Sequence, residues 1–114
     1  MKVFLTGSTG YVGHQLAIKL ANQNLKVVAL VRDLNSEKIP NHKNILPVQG
    51  DVCDYESVEK NIKDCTYVFH TAAYTNLKNK RLDNFYNTNV VGTENILTAS
   101  LKHKIKKVHR SKWE

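Results

Sequence analysis

Apolar residues fall into short continuous runs separated by stretches of helical spacing, the pattern of strands buried on both faces and covered by amphipathic helices. The first run, Lys2 to Leu5, leads into Thr6-Gly7-Ser8-Thr9-Gly10-Tyr11-Val12-Gly13. Behind it Leu16, Ala17, Leu20 and Ala21 recur at helical spacing. This predicts a helix from Tyr11 to about Gln23, ended by Asn24 because asparagine tolerates the left-handed conformation. Lys26 to Val31 is a second strand, and Ile45 to Gln49 a third whose Pro47 suits a sheet edge. Arg32 to Asn44 is polar, contains Pro40 and reads as loop with at most a helical turn.

Asp54 is a good N-cap for a short helix from Tyr55 to Lys63, with Val58 and Ile62 on one face. Thr66 to His70 makes a fourth strand. A long helix from about Leu82 to Leu101 carries Phe85, Tyr86, Val90, Val91, Leu97 and Leu101. Gly92 inside it costs about 1 kcal/mol relative to alanine, which points to a close backbone approach. Ile105 to His109 starts a fifth strand. Strands alternating with helices predict an α/β fold, a doubly wound parallel sheet of about five strands.

Each glycine of the first turn has its own task. Gly7 turns the chain out of the strand, Gly10 lets backbone approach a pyrophosphate, and Gly13 lets helix and strand pack closely. Free N–H groups at the helix start and the helix dipole favour a doubly charged phosphate bridge.

A chain of 114 residues suits at most one domain with a modest core. Its net charge of +7, from 17 basic and 10 acidic residues, invites a nucleic-acid or anionic-membrane reading. The distribution argues against both. Much of the excess is Lys102, Lys104, Lys106, Lys107, Arg110 and Lys112, with no aromatic interleaved before Trp113, as expected of a solvated helix end and strand edge. Thr6 and Gly7 interrupt the first apolar run, so neither a signal peptide nor a membrane span is expected and the location expected is cytoplasmic. Cys53 and Cys65 lack metal-ligand or redox spacing and are assigned no chemistry.

Five stretches in order resemble the extended short-chain dehydrogenase/reductase family of sugar-nucleotide epimerases, dehydratases and dihydroflavonol-reductase-like enzymes. Thr6 to Gly13 is similar to the family's TGxxGYxG turn, and Val31-Arg32-Asp33 to the end of strand two in its dihydroflavonol-reductase-like branch. Gly50 to Asp54 resembles the GDxxD element, Phe69 to Ala73 the FHxAA element, and Asn89 to Asn95 the NVxGTxN helix. The match runs from residue 1 to about 108. It implies a Rossmann domain over residues 1–114, incomplete at its C-terminal end before a sixth strand.

The resemblance also implies site residues: Gly7, Thr9, Gly10, Tyr11, Val12 and Gly13 at the pyrophosphate, and Asp51 accepting from the adenine amine with Val52 against the ring. Thr71, Ala72 and Ala73 would leave room for ribose and nicotinamide at the carboxyl edge of the sheet. Asn89 would lie near the cofactor or serve as a structural hydrogen bond. His70 reads as a satisfied core histidine, since nothing near it in sequence offers a nucleophile. Where NAD-binding relatives place an acid at the end of strand two, this chain has Val31 followed by Arg32, whose guanidinium can grip a 2′-phosphate. NADP is therefore favoured over NAD. Asp33, next along, reaches a ribose or simply begins the turn.

Family chemistry needs a serine after strand five and a Tyr-x-x-x-Lys pair on the next helix. After Val108 the chain reads His109-Arg110-Ser111-Lys112-Trp113-Glu114, which departs from that pattern. The stretch from Tyr74 to Lys78 matches Tyr-x-x-x-Lys by coincidence, because it follows strand four instead. The expected function is the cofactor-binding segment of a reductase or epimerase acting on a small-molecule carbonyl or hydroxyl substrate, without turnover of its own. Truncation or a shifted frame near residue 108 would account for it. A non-catalytic cofactor-sensing module that presents a surface to another protein is the second reading. In either, the long helix 82–101 exposes a face suited to self-association.

Overall fold

The computed structural model describes residues 1–71 and 90–110. In chain order its elements are β1 (Lys2–Thr6), α1 (Tyr11–Asn22), β2 (Lys26–Val31), β3 (Ile45–Gln49), α2 (Tyr55–Ile62), β4 (Tyr67–His70), α3 (Gly92–Lys102) and β5 (Lys107–Arg110). The strands pair in parallel in the order β3-β2-β1-β4-β5. This is the predicted α/β sheet, with β3 and its Pro47 at an edge where a missing N–H is tolerated.

Alternation along the strands sends side chains to two cores. Val3, Leu5, Val27 and Ala29 meet Ala17, Leu20 and Ala21 of α1 on one face. Phe4, Val28, Leu30 and Val68 meet Val58 and Ile62 of α2 and Ile96 and Ala99 of α3 on the other. The sheet is therefore doubly wound, which is why its inner strands must be apolar at successive positions. Phe4 and Leu5 are fully buried, each contributing about 2 kcal/mol through burial.

Two helix ends share one device. Asn24 (φ 66°) and Lys104 (φ 55°) adopt left-handed backbone. The next residues, Leu25 and Ile105, donate their N–H groups back to the carbonyls of Leu20 and Ser100 and pack on the cores. Because Lys104 and Ile105 belong to this turn, β5 starts at Lys107 and not at Ile105 as expected. Asp64 (φ 66°) is also left-handed after α2, and Thr66 N–H bonds the Lys2 carbonyl before β4 begins at Tyr67.

The close approach expected of Gly92 is to Val52: a side chain on Gly92 would come within 2.8 Å of Val52 Cγ2. Val90 and Val91 enter α3 as a wider π-type turn, and the portion of the predicted long helix up to residue 89 lies outside the described residues. Ile96 and Ala99 turn inward, whereas Leu97 and Leu101 are exposed. No described helix is long and apolar enough to cross a membrane.

Candidate functional site

Chain order along the sheet reverses between β1 and β4, and Thr6 and His70, their last residues, sit side by side. Open α/β sheets bind ligands at such a switch point, outside the carboxyl ends of the strands. The glycine turn stands there. Gly7 has φ 82°, a conformation that costs a side-chain-bearing residue, and its carbonyl accepts from Gly10 N–H at 3.1 Å. A side chain at Gly13 would overlap the Gly7 carbonyl and press to 2.8 Å from Thr71 Oγ1, so this glycine lets α1 sit directly on the end of β1.

Gly10 differs. Its backbone is ordinary extended chain (φ −84°, ψ 168°), and a Cβ there would only touch the Gly7 carbonyl at 3.5 Å. Neither its conformation nor packing among the described residues demands a glycine, which points to the surface it keeps open as the reason for one. Helix α1 begins with no capping side chain and no acid in its first turn, so the N–H groups of its first turn and its positive dipole end face outward. Thr9, Gly10, Tyr11 and Val12 are all exposed around that opening. Ser8 is fully buried, with its hydroxyl unpartnered among the described residues. The cradle suits a phosphate bridge.

Thr71 anchors the opposite wall. Its hydroxyl donates to the Thr6 carbonyl at 2.5 Å, and its N–H reaches Thr6 Oγ1 at 3.1 Å. Thr6 Oγ1 lies 2.7 Å from His70 Nδ1, and His70 Nε2 lies 3.2 Å from Thr93 Oγ1 on α3. Burial, with a lesser contribution from the Arg110 charge, pushes the His70 pKa down to about 4. The ring is thus neutral at pH 7. A neutral ring donates from one nitrogen and accepts at the other, so it bonds Thr6 on one side and Thr93 on the other. His70 is the satisfied core histidine expected, and its link to Thr93 is what sequence reasoning missed.

At the end of β2, Val31 is buried and Arg32 is exposed, with its carbonyl accepting from Gln49 Nε2 at 3.4 Å. The Asp33 carboxylate accepts from Asn35 N–H at 2.9 Å and so begins the turn. After β3, Asp51 Oδ1 accepts from Cys53 N–H at 2.9 Å, which shapes the loop over the sheet edge. Val52 is buried beneath it, against Gly92, and its carbonyl accepts from Asn95 Nδ2 at 2.8 Å. Gly50, wedged between Leu30 and Ser57, completes the loop. Asn95 is a structural tie that sequence reasoning did not single out.

The model of the NAD dependent epimerase/dehydratase family matches residues 3–111. The chain belongs to this family. The putative dihydroflavonol 4-reductase of Synechocystis is 36% identical over 102 residues, covering 87% of this chain and 29% of that protein. The UDP-glucose 4-epimerase of Rickettsia typhi is 31% identical over 120 residues, covering 93% of this chain and 34% of the relative. Among solved structures, an epimerase from Methanothermobacter thermautotrophicus superposes with a TM-score of 0.86 at 28% identity, over 96% of this chain and 34% of that one. The Bordetella bronchiseptica enzyme WbmH, solved in complex with NAD+, gives 0.82 at 31% identity, over 94% and 37%. The chain thus spans about a third of these epimerase/dehydratase-family proteins.

Several family-based expectations fall elsewhere. Ala72, Ala73 and Asn89, the stretch Tyr74 to Lys78, and Ser111 lie outside the described residues. Burial raises the Cys65 thiol to about 11, leaving it unreactive at neutral pH. Among the described residues no cluster of three or more His, Cys, Asp or Glu could hold a metal.

Proposed function

We propose that this chain is the cofactor-holding segment of an extended short-chain dehydrogenase/reductase that moves hydride between a nicotinamide dinucleotide and a carbonyl or hydroxyl substrate, with NADP preferred. One observation carries the reading: a glycine turn at the switch point in which Gly13 is required by packing while, among the described residues, nothing requires a glycine at position 10. A bound dinucleotide would supply the hydride. This chain's part is to hold it. N–H groups of the first turn of α1 take the pyrophosphate, the Asp51 loop the adenine, and Thr71 the wall toward ribose.

NADP is preferred because the end of β2 offers Arg32 in solvent and a buried Val31 in place of a carboxylate, while Asp33 is engaged in its own turn. Calorimetric titration with NADPH and NADH tests both levels. NADPH should bind more tightly, and Arg32→Ala should weaken it about tenfold while sparing NADH. Tighter NADH binding would remove the NADP preference; binding of neither would remove the whole reading. Exposed Leu97 and Leu101 on α3 support self-association as part of it, read out by sedimentation. A monomer at all concentrations would count against that part.

A further inference from the structure

Residues 92–95, the first turn of α3, touch both halves of the candidate site. Thr93 Oγ1 meets His70 Nε2 at 3.2 Å, and through Thr6 that ring is tied to the Thr71 backbone beside the glycine turn. Gly92 lies against Val52, and Asn95 holds the Val52 carbonyl at 2.8 Å, which fixes the loop after β3. His70 therefore bonds on one side to the strand that carries the glycine turn and on the other to the helix that clamps the Asp51–Val52 loop. It is 4% exposed, and both ring nitrogens are used. An apolar side chain would fill such a position without needing two aligned polar partners.

We propose that His70 is a positioning residue for the dinucleotide. Through Thr93 it locks the first turn of α3 to the β1–β4 crevice, so that the glycine turn and the Asp51–Val52 loop stand at one fixed separation. A ligand that spans both regions benefits from that separation; a ligand that reaches only one does not. The inference rests on the dinucleotide-binding reading above.

The test uses Thr93, which is half-buried on α3 and is not among the residues assigned to the cofactor above. Thr93→Val keeps the shape and removes the hydroxyl, and Thr93→Ser restores it. Each variant is titrated with NADPH and with adenosine 2′-monophosphate, which carries the adenine and the 2′-phosphate but no 5′-phosphate to reach the glycine turn. Thr93→Val should weaken NADPH about tenfold, an ordinary size for coupling between two regions, while adenosine 2′-monophosphate changes by less than about twofold. Thr93→Ser should recover wild-type affinity. Equal losses for both ligands, or no loss, would overturn the proposal. Amide exchange in the free protein gives an arm that needs no cofactor: Val52 and Cys53 should exchange faster in Thr93→Val. Unchanged exchange overturns the proposal even if wild type binds no dinucleotide, a result that would separately remove the functional reading.

Discussion

Gly13 lies so close to the carbonyl oxygen of Gly7 that any side chain there would overlap it. The turn thereby sets helix α1 onto strand β1 at a distance only glycine permits, and three residues earlier Gly10 faces no such wall. On the proposed function, the two glycines should separate folding from binding. Gly13→Ala should cost about 3 kcal/mol in urea unfolding, because the backbone it meets cannot move aside. Gly10→Ala should stay within about 1 kcal/mol of wild type yet weaken dinucleotide binding at least about tenfold, since its methyl group fills the cradle. Similar stability losses in both variants would contradict this division.

Lys104 sits at φ 55°, where its Cβ crowds the backbone without the local hydrogen bonds that help asparagine. Lys104→Gly should therefore raise stability by about 1 kcal/mol, the released strain exceeding the added freedom of the unfolded chain. Thermal unfolding reads this directly, and a lower melting temperature would refute it.

Burial gives His70 a pKa of about 4, against 6.5 for a free histidine. Below the higher value the unfolded chain takes up a proton that the folded chain refuses, so stability is full above pH 6.5 and falls toward the lower value. The loss amounts to roughly 3 kcal/mol across that window, at about 1.4 kcal/mol per pH unit. His70→Gln should flatten the slope of stability between pH 6.5 and pH 5, where carboxylates contribute little. An unchanged slope would show that the ring is protonated in the folded protein.

Glu59 on α2 is held below its ordinary pKa of 4.5, first by its hydrogen bond with His103 and also by Lys102, 3.6 Å away. A lowered carboxylate stabilises the fold above its unfolded pKa, and that contribution disappears as pH falls through the lower folded value. Glu59→Gln should thus be less acid-sensitive below pH 4.5 than wild type while leaving the His70 window intact. Acid titration followed by circular dichroism distinguishes the two. An identical acid limb in both proteins would mean the contact between α2 and α3 carries nothing.

Much of the fold was legible because a parallel sheet covered on both faces demands what local sequence displays. Val3-Phe4-Leu5 and Val27 to Val31 are continuous apolar runs, and Pro47 marks an edge. Asp54 caps α2 as expected, its side chain accepting from Glu56 N–H. Lys104 escaped notice because lysine carries no left-handed signal, and β5 shifted by two residues as a result. In the site, Gly7 and Gly13 were readable since each is fixed by a backbone constraint, a left-handed turn and a close approach. The chain from Thr6 through His70 to Thr93 was not. It joins residues 64 and 23 positions apart, and only the pairing of β1 with β4 brings them together. Asn95 was visible as the end of the NVxGTxN element, but its bond to Val52 was not, the carbonyl partner lying 43 residues away.

Amide chemical shifts recorded while NADPH is added test the central claim most directly. The account predicts saturable one-to-one binding with the largest shifts at Gly10, Tyr11, Val12 and Gly13, and a second group at Asp51, Val52 and Cys53. Saturable binding that leaves those amides unmoved, or a folded protein whose spectrum ignores the dinucleotide, would contradict it.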